Sequence, residues 1–442
     1  MIELTPAEIA AASGARLVSG EHDAGPGDRP ARAVIDSRTV RHGDLFFGLA
    51  GESAAGGEFA REAIETGAWG VVVAPRYSQD LPATGTRIFA AEDPLAGLGG
   101  LAARWLVSLR AGGCRVVGIT GSTGKTSTKD ILLAMLDAVA GGRAHANREN
   151  WNTEIGLPLT ILEAKRGTEA LVLEMAMRGE GQIAELVAVA EPDVGVIVNV
   201  GPVHLELLGT IEAIAATKAE LIAALEPGGT AIVPASEPLL EPHRRADLRT
   251  VTFGPGGDVA ELPAGLTVPF TSAHMRRNAL AALAAARAVG VEPEGEVTVA
   301  LSSLRGQRIA LPDDIVVVND CYNANPMSMR AALDDLAASA SGRRVAVLGD
   351  MLELGPGEVA YHEEIGAVAA TAGVDLLVTV GPLAAHIGAA FEGGTHHHVD
   401  DARAAAALLP DLLEPGDTVL VKASRGVGLE VVAQTLEAET VR

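Results

Sequence analysis

The chain has 442 residues, 48% of them hydrophobic, and a net charge of −23. That length exceeds one ordinary domain, and the apolar content is ample for sizeable cores. The acidic balance, without a long basic run, excludes a nucleic-acid surface, and the longest uncharged run, 376–391 at 16 residues, is too short for a membrane span.

In chain order, Thr5, Pro6 and Glu8 predict a capped first helix. Residues 33–35 and 45–47 read as strands, 58–66 as a helix and 70–74 as a buried strand. Asp36, Ser37 and Arg38 stand between the first two strands. A hydroxyl and a guanidinium there could grip a diphosphate, and an ordinary polar turn suits the triplet equally. Residues 75–86 are polar and contain proline, a linker pattern. A helix over 93–110 leads into the apolar strand of Val116 and Val117.

Residues 118–130, GITGSTGKTSTKD, follow that strand and precede another apolar run. Glycines at 118, 121 and 124 let backbone N–H groups face an anion, and a helix start adds its partial positive charge. Ile119 departs from the strict G-x-x-x-x-G-K-[ST] pattern, but strand and helix flank the turn as that motif requires. Lys125 would reach the outer phosphates of a nucleoside triphosphate, and the Thr126 hydroxyl would bind Mg²⁺.

Strands and helices then alternate, which predicts a mostly parallel sheet. Glu174 ends the strand 170–173, where a carboxylate could hold Mg²⁺ against a triphosphate. His204 follows the strand 194–198 and reads as a metal ligand or as a satisfied loop histidine. Lys218 lies on the helix 211–225, on one face with Ile214, Leu221 and Ile222, although a helical lysine is ordinarily exposed. Helices are expected over 273–289 and 297–304, with His274 and Asn278 sharing a face at i, i+4.

From 314 the pattern restarts as a second doubly wound unit. NDCYNANPMSM (319–329), LGDMLELG (348–355) and VKASRGVG (421–428) each follow an apolar strand, as site-lining loops would. His396, His397 and His398 are adjacent, cannot all face one ion, and read as a solvated loop. Cys114 and Cys321 read as reduced buried thiols. The opening MIELTPAEIAAASG lacks the marks of a signal peptide, so a cytoplasmic location is expected.

These motifs together resemble the Mur amide ligases of peptidoglycan synthesis, over nearly the whole chain. The resemblance is carried by GSTGKT (121–126), Glu174, His204, Lys218, Asn278 in its Ala-rich helix, and NWNTEIGLPLT (150–160). It is carried further by YNANPMSMRAAL (322–333), LGDMLELG and KASRG (422–426), while Asp36-Ser37-Arg38 with FFGLAG resembles a uridine-diphosphate domain. It implies an α/β chain of three domains. Residues 1–84 would be a small α/β domain for the UDP-muramyl substrate. Residues 85–313 would be a P-loop ATPase domain with a mostly parallel sheet, and 314–442 a Rossmann-like domain for the incoming dipeptide.

The resemblance also implies a monomeric ATP-dependent ligase that joins D-Ala-D-Ala to UDP-MurNAc-tripeptide through an acyl phosphate, with two Mg²⁺ sites. Lys125, with Gly121, Ser122, Thr123, Gly124, Thr126 and Ser127, would hold the phosphates. Thr126 and Glu174 would bind one Mg²⁺, and His204 with a carbamylated Lys218 the second. His274, Asn278, Arg308 and Asp320 would contact the nucleotide. Ser37 and Arg38 would contact the UDP group, and Asn150, Asn152 and Thr153 the muramyl-peptide side. Asn323, Asn325, Lys422, Ser424 and Arg425 would belong to the closing third domain. Met275 stands where such ligases often carry a second asparagine. A ligase with another acceptor, such as the diaminopimelate-adding, lysine-adding or folate polyglutamate ligases, is the first alternative, and YNANP with LGDMLELG argues against it. A nucleotide-dependent regulator without ligase activity is the second. The full set Lys125, Glu174, His204 and Lys218 argues against that.

Overall fold

In the computed structural model of the chain, residues 2–20, 28–51, 54–82, 85–148 and 150–439 are described. Thr5 caps the helix Pro6–Ala12 in a reciprocal capping box with Glu8, as its sequence predicts. Among the described residues, three larger sheets and one two-stranded pair carry the architecture.

The first sheet has five strands, with Leu45–Phe47 and Gly70–Val73 wholly buried near its middle. Unbroken apolar strands of this kind belong to sheets covered on both faces. The strand Arg87–Ala91 also belongs here: it pairs parallel with Gly70–Val73 and antiparallel with Ala15–Ser19. The expected cut at 84 therefore falls inside this sheet's chain. The physical division lies at Asp93, which caps the helix Pro94–Arg110. That helix buries Leu98, Leu101 and Trp105 in a core that also takes in Phe47 and Phe89 from the first sheet and Leu171 and Leu173 from the second. The first two sheets thus share one apolar core.

The second sheet has six strands, all parallel. Arg115–Thr120 lies between Ala170–Glu174 and Val194–Ile197. The helices Lys125–Ala140 and Ala273–Ala288 pack on one face, around Ile131, Leu132, Ala279 and Leu283. The third sheet has six strands, parallel except for its edge strand Gln307–Ala310. This edge strand pairs antiparallel with Val316–Asn319, so the third unit begins before the expected cut at 313.

Two further expectations change. Residues 297–304 form no helix. Val297, Val299 and Leu301 alternate along an extended segment and pack on the second core, a period of two rather than 3.6. His396, His397 and His398 lie on the strand Thr395–Val399, where Thr379 binds His396 at 2.9 Å and His398 at 3.0 Å. Among the described residues no helix is long and apolar enough to cross a membrane.

Candidate active site

The centre of the site follows from strand order. The loop after Arg115–Thr120 opens between the ends of its two neighbours, so Glu174 comes to one side of it and Asn199 to the other. Gly124 sits at φ 75°, and a Cβ there would stand 2.7 Å from Oδ1 of Asn278. Only glycine fits both demands. The helix Lys125–Ala140 starts at that point, with its free N–H groups toward the loop.

Lys125 folds back, and its ammonium donates to the carbonyl of Gly121 at 2.8 Å. The Thr126 hydroxyl donates to Oε2 of Glu174 at 2.8 Å, and Nδ2 of Asn152 donates to Oε1 at 2.8 Å. Glu174 is 1% exposed and its backbone is tied on both sides to the Asn147 amide. Asn199 accepts from the Thr123 N–H through Oδ1 at 2.9 Å, and its carbonyl accepts from the Ser122 N–H. Ser122 in turn exchanges hydrogen bonds with Gly201.

A cleft of about 1900 Å³ spreads from this loop to the third unit. It is lined by Ser122 to Ser127, Glu174, His204, His274, Asn278, Arg308 and Asp320. Asn150, Asn152 and Thr153 line it from the second unit, and Asn323, Asn325, Lys422, Ser424 and Arg425 from the third. Met327 crosses between the units: its sulfur lies 3.3 Å from the Thr123 hydroxyl, and its methyl fills the notch at Gly201. Met275 replaces the second asparagine as a weak partner, with its sulfur 3.8 Å from Nδ2 of Asn278.

The remaining expected residues belong to the first and third units. Ser37 lies in the turn Ser37–Thr39 of the first unit, and Arg38 pairs with Asp36 with its side chain 84% exposed. Neither lines the cleft. Lys422 is buried and gives its ammonium to Asp320 at 2.5 Å and to the Asn323 carbonyl at 2.9 Å. Asn325 caps the helix Pro326–Ser339 with Ser328. Ser424 accepts from the Leu352 N–H and donates to the Ala324 carbonyl. These groups brace the third unit's loops against one another. Arg425 reaches outward to Glu430.

The titratable groups are unusual. Lys218 is 2% exposed, and among the described residues it makes no hydrogen bond or ion pair. Burial, then the charge of Lys125, holds its amine well below the ordinary lysine value. An uncompensated buried ammonium is far costlier than a neutral amine, so burial favours the neutral form. Burial likewise lowers the Lys125 amine and the His274 imidazole. His204 is lowered by burial, against the upward pull of Glu353, whose Oε2 is 2.5 Å from Nδ1.

Glu353 comes from LGDMLELG of the third unit and also binds Arg178. Burial pushes its carboxyl up, but the bonds to Arg178 and His204 outweigh that and hold it below the usual range. Both His204 (φ 55°) and Glu353 (φ 63°) occupy the left-handed region, which non-glycine residues adopt only under constraint. Replacing Glu353 by glutamine should move the His204 titration, followed by its ring-proton resonances, to lower pH. An upward shift, or none, would show that the pair does not form in solution.

Sequence reading gave no role to Asn199, Arg305 or Glu353, although Asn199 opens a stretch that follows a strand and Glu353 lies within LGDMLELG. Arg305, one residue past the expected helix at 297–304, donates to the Thr126 hydroxyl at 3.1 Å. The thiols of Cys114 and Cys321 are pushed by burial up to about 11 and about 12, so neither is a ready nucleophile.

Comparison with known proteins agrees with this geometry. The Mur ligase middle domain family matches residues 119–286, and the Mur ligase glutamate ligase domain family matches 304–425. A UDP-N-acetylmuramoyl-tripeptide–D-alanyl-D-alanine ligase of Synechocystis is 38% identical, covering 91% of this chain and 91% of that one. The ligase of that name from Mycobacterium tuberculosis is 37% identical over 99% of this chain and 98% of its own. The crystal structure of MurF from Acinetobacter baumannii superposes with a TM-score of 0.85 at 27% identity, covering 98% of each chain. MurF from Thermotoga maritima, solved in complex with ADP, gives 0.78 at 31% identity over 93% of this chain and 98% of that one. With its parallel sheets, phosphate loop and strand-end glutamate in place, this chain belongs to the Mur ligase family.

Proposed function

We propose that this chain joins the amine of D-Ala-D-Ala to the terminal carboxyl of UDP-MurNAc-tripeptide, using ATP and forming an acyl phosphate on the way. The observation that carries this reading is the cluster Lys125, Thr126 and Glu174 at the head of a cleft walled by both the second and third units. A carboxylate is a poor acyl donor, and phosphorylation supplies a leaving group. A carboxylate oxygen bonds to the γ-phosphorus as the bond to the bridging oxygen breaks and ADP leaves. The dipeptide amine then attacks the acyl carbon, phosphate departs, and the amine loses a proton.

Lys125 and the loop amides neutralise phosphate charge in that first step. Asn152 donates to Glu174 and Thr153 lines the same cleft, and both would face the tripeptide carboxyl. The third unit walls one side of the cleft, and its closing over the site would shield an acyl phosphate from water and position the amine. The 1–84, 85–313 and 314–442 assignments of substrate keep their order, with the divisions moved to the sheet boundaries described above.

Thr126 and Glu174 offer hard oxygen donors 2.8 Å apart, which suits Mg²⁺. Among the described residues no three His, Cys, Asp or Glu side chains group as a metal site. A second site at His204 would, as the family resemblance implies, use Lys218 in its carbamylated, oxygen-bearing form. His204 holds Nδ1 on Glu353, so Nε2 would be the atom free to hold a metal. When bound, Mg²⁺ would supply neutralisation of phosphate charge.

Mass spectrometry of the product from UDP-MurNAc-tripeptide, ATP and D-Ala-D-Ala should show the pentapeptide, with ADP released. With the dipeptide left out, borohydride should convert the tripeptide carboxyl to an alcohol. An acyl group found on Cys321 or any other side chain would overturn direct transfer.

A further inference from the structure

Arg305 has no part in the roles above, yet it reaches the middle of the site. Its guanidinium donates to Oγ1 of Thr126 at 3.1 Å and lies over the Tyr322 ring, 3.7 Å from the centroid. Its Nε–H is buried and has no hydrogen-bond partner. A buried charged donor without an acceptor is costly, and where one persists beside a phosphate loop it points to an anion. Arg305 also lowers the proton affinity of Lys125, so the two cations are neighbours. The Glu174 carboxylate, bonded to the same Thr126 hydroxyl, acts on Lys125 with the opposite sign.

The backbone aims Arg305 inward. Leu304 and Gly306 flank it at φ 60° and 66°. The Leu304 carbonyl accepts from the Tyr322 N–H at 3.2 Å, and the Gly306 N–H donates to Asp320 at 3.1 Å. Upstream, Ser302 is tied to Asp130 of the loop helix. Arg305 is thus clamped between the second and third units. Arg308, the arginine singled out from sequence, lies exposed on the edge strand Gln307–Ala310.

The Thr126 hydroxyl already donates to Glu174 and accepts from Arg305. A cation arriving on that oxygen would repel the guanidinium and displace it. We propose that Arg305 is a phosphate-binding residue of the ligase, leaving Thr126 when the nucleotide arrives and grasping the transferred γ-phosphoryl group. Its orphaned Nε–H and the N–H released from Thr126 form the two tines of a planar fork, matched to two phosphate oxygens. Tyr322 holds the plane of the guanidinium during that swing. Arg305 stays protonated throughout, and no bond to it is made or broken.

The inference rests on the ATP-ligase reading. Its test is calorimetric titration of the full chain with ADP and with a non-hydrolysable ATP analogue, both with Mg²⁺. The two ligands differ at the γ-phosphate. Arg305→Met should weaken the analogue at least about tenfold and ADP by less than about twofold. Arg305→Lys keeps the charge without the fork and should fall between the unaltered chain and the methionine variant. It also carries the test should Arg305→Met fail to fold. Equal loss for both nucleotides would make Arg305 a mere support of the loop, and unchanged analogue affinity in both variants would remove its role; either result overturns the inference alone. An unaltered chain that bound neither nucleotide would overturn the ligase reading and this inference with it.

Discussion

Lys218→Ala should cut ligation at least about a thousandfold, roughly 4 kcal/mol of barrier, while the fold stays intact. An ammonium has three donors and no acceptor, so it cannot ligate a metal. The site removes that obstacle. Lys218 is 2% exposed, and burial with the nearby charge of Lys125 keeps its amine well below the ordinary value of 10.5. A neutral amine can attack CO₂: the N–C bond forms, one proton leaves, and the lysine ends in an anionic oxygen pair suited to Mg²⁺. Formate or acetate, able to occupy the vacated position, should partly restore turnover. Near-normal turnover of Lys218→Ala in CO₂-free buffer would leave Lys218 as a packed helical residue only.

The same burial makes a stability statement. Between the depressed folded value and 10.5, the unfolded chain holds a proton at Lys218 that the folded chain lacks. The unfolded state binds more protons there, so stability rises with pH through that window and levels off above it. In CO₂-free buffer, urea unfolding of Lys218→Met should show a flatter rise. An unchanged slope would mean that the lysine keeps its proton in the folded protein.

Glu174→Gln is the second large effect expected, again a loss of ligation of at least about a thousandfold. The substitution keeps shape and removes charge. Thr126 and Asn152 both donate to Glu174, one to each oxygen. A glutamine has one acceptor oxygen and one donor nitrogen, so one of the two partners must turn or face a donor. That mismatch should destabilise the chain by about 1–2 kcal/mol. The Asn147 amide still binds the backbone at this position on both sides, so the strand end stays put. Product formation within about tenfold of the unaltered chain, at ordinary Mg²⁺ concentration, would remove Glu174 from the phosphate chemistry.

What could be read in advance divides by the distance over which each feature is specified. The phosphate loop was legible because strand, glycines, Lys125, Thr126 and helix all lie within one short stretch. The Thr5–Glu8 cap was legible for the same reason. Lys218 was legible in part, because its 3–4 spacing from Ile214 and Ile222 put it on the buried face of its helix. The strand Arg87–Ala91 went to the wrong side of a division because its partners, Ala15–Ser19 and Gly70–Val73, are far from it in sequence.

By itself, the sequence determined the parallel α/β class, the phosphate loop and most element types, with 297–304 and 396–398 as exceptions, since hydrophobic period and local turn chemistry act within a few residues. Tertiary structure alone decided which side chains meet across the cleft. Nothing local to His204 announces Glu353, 149 positions away in the third unit, and nothing local to Thr126 announces Arg305, 179 away. Those pairings depend on strand order and on how the third sheet sits over the second. Apolar burial sets the strand order within each unit, but the third unit keeps its own cores and meets the second through contacts such as Arg178 with Glu353 and Met327 at Gly201, which no local motif announces.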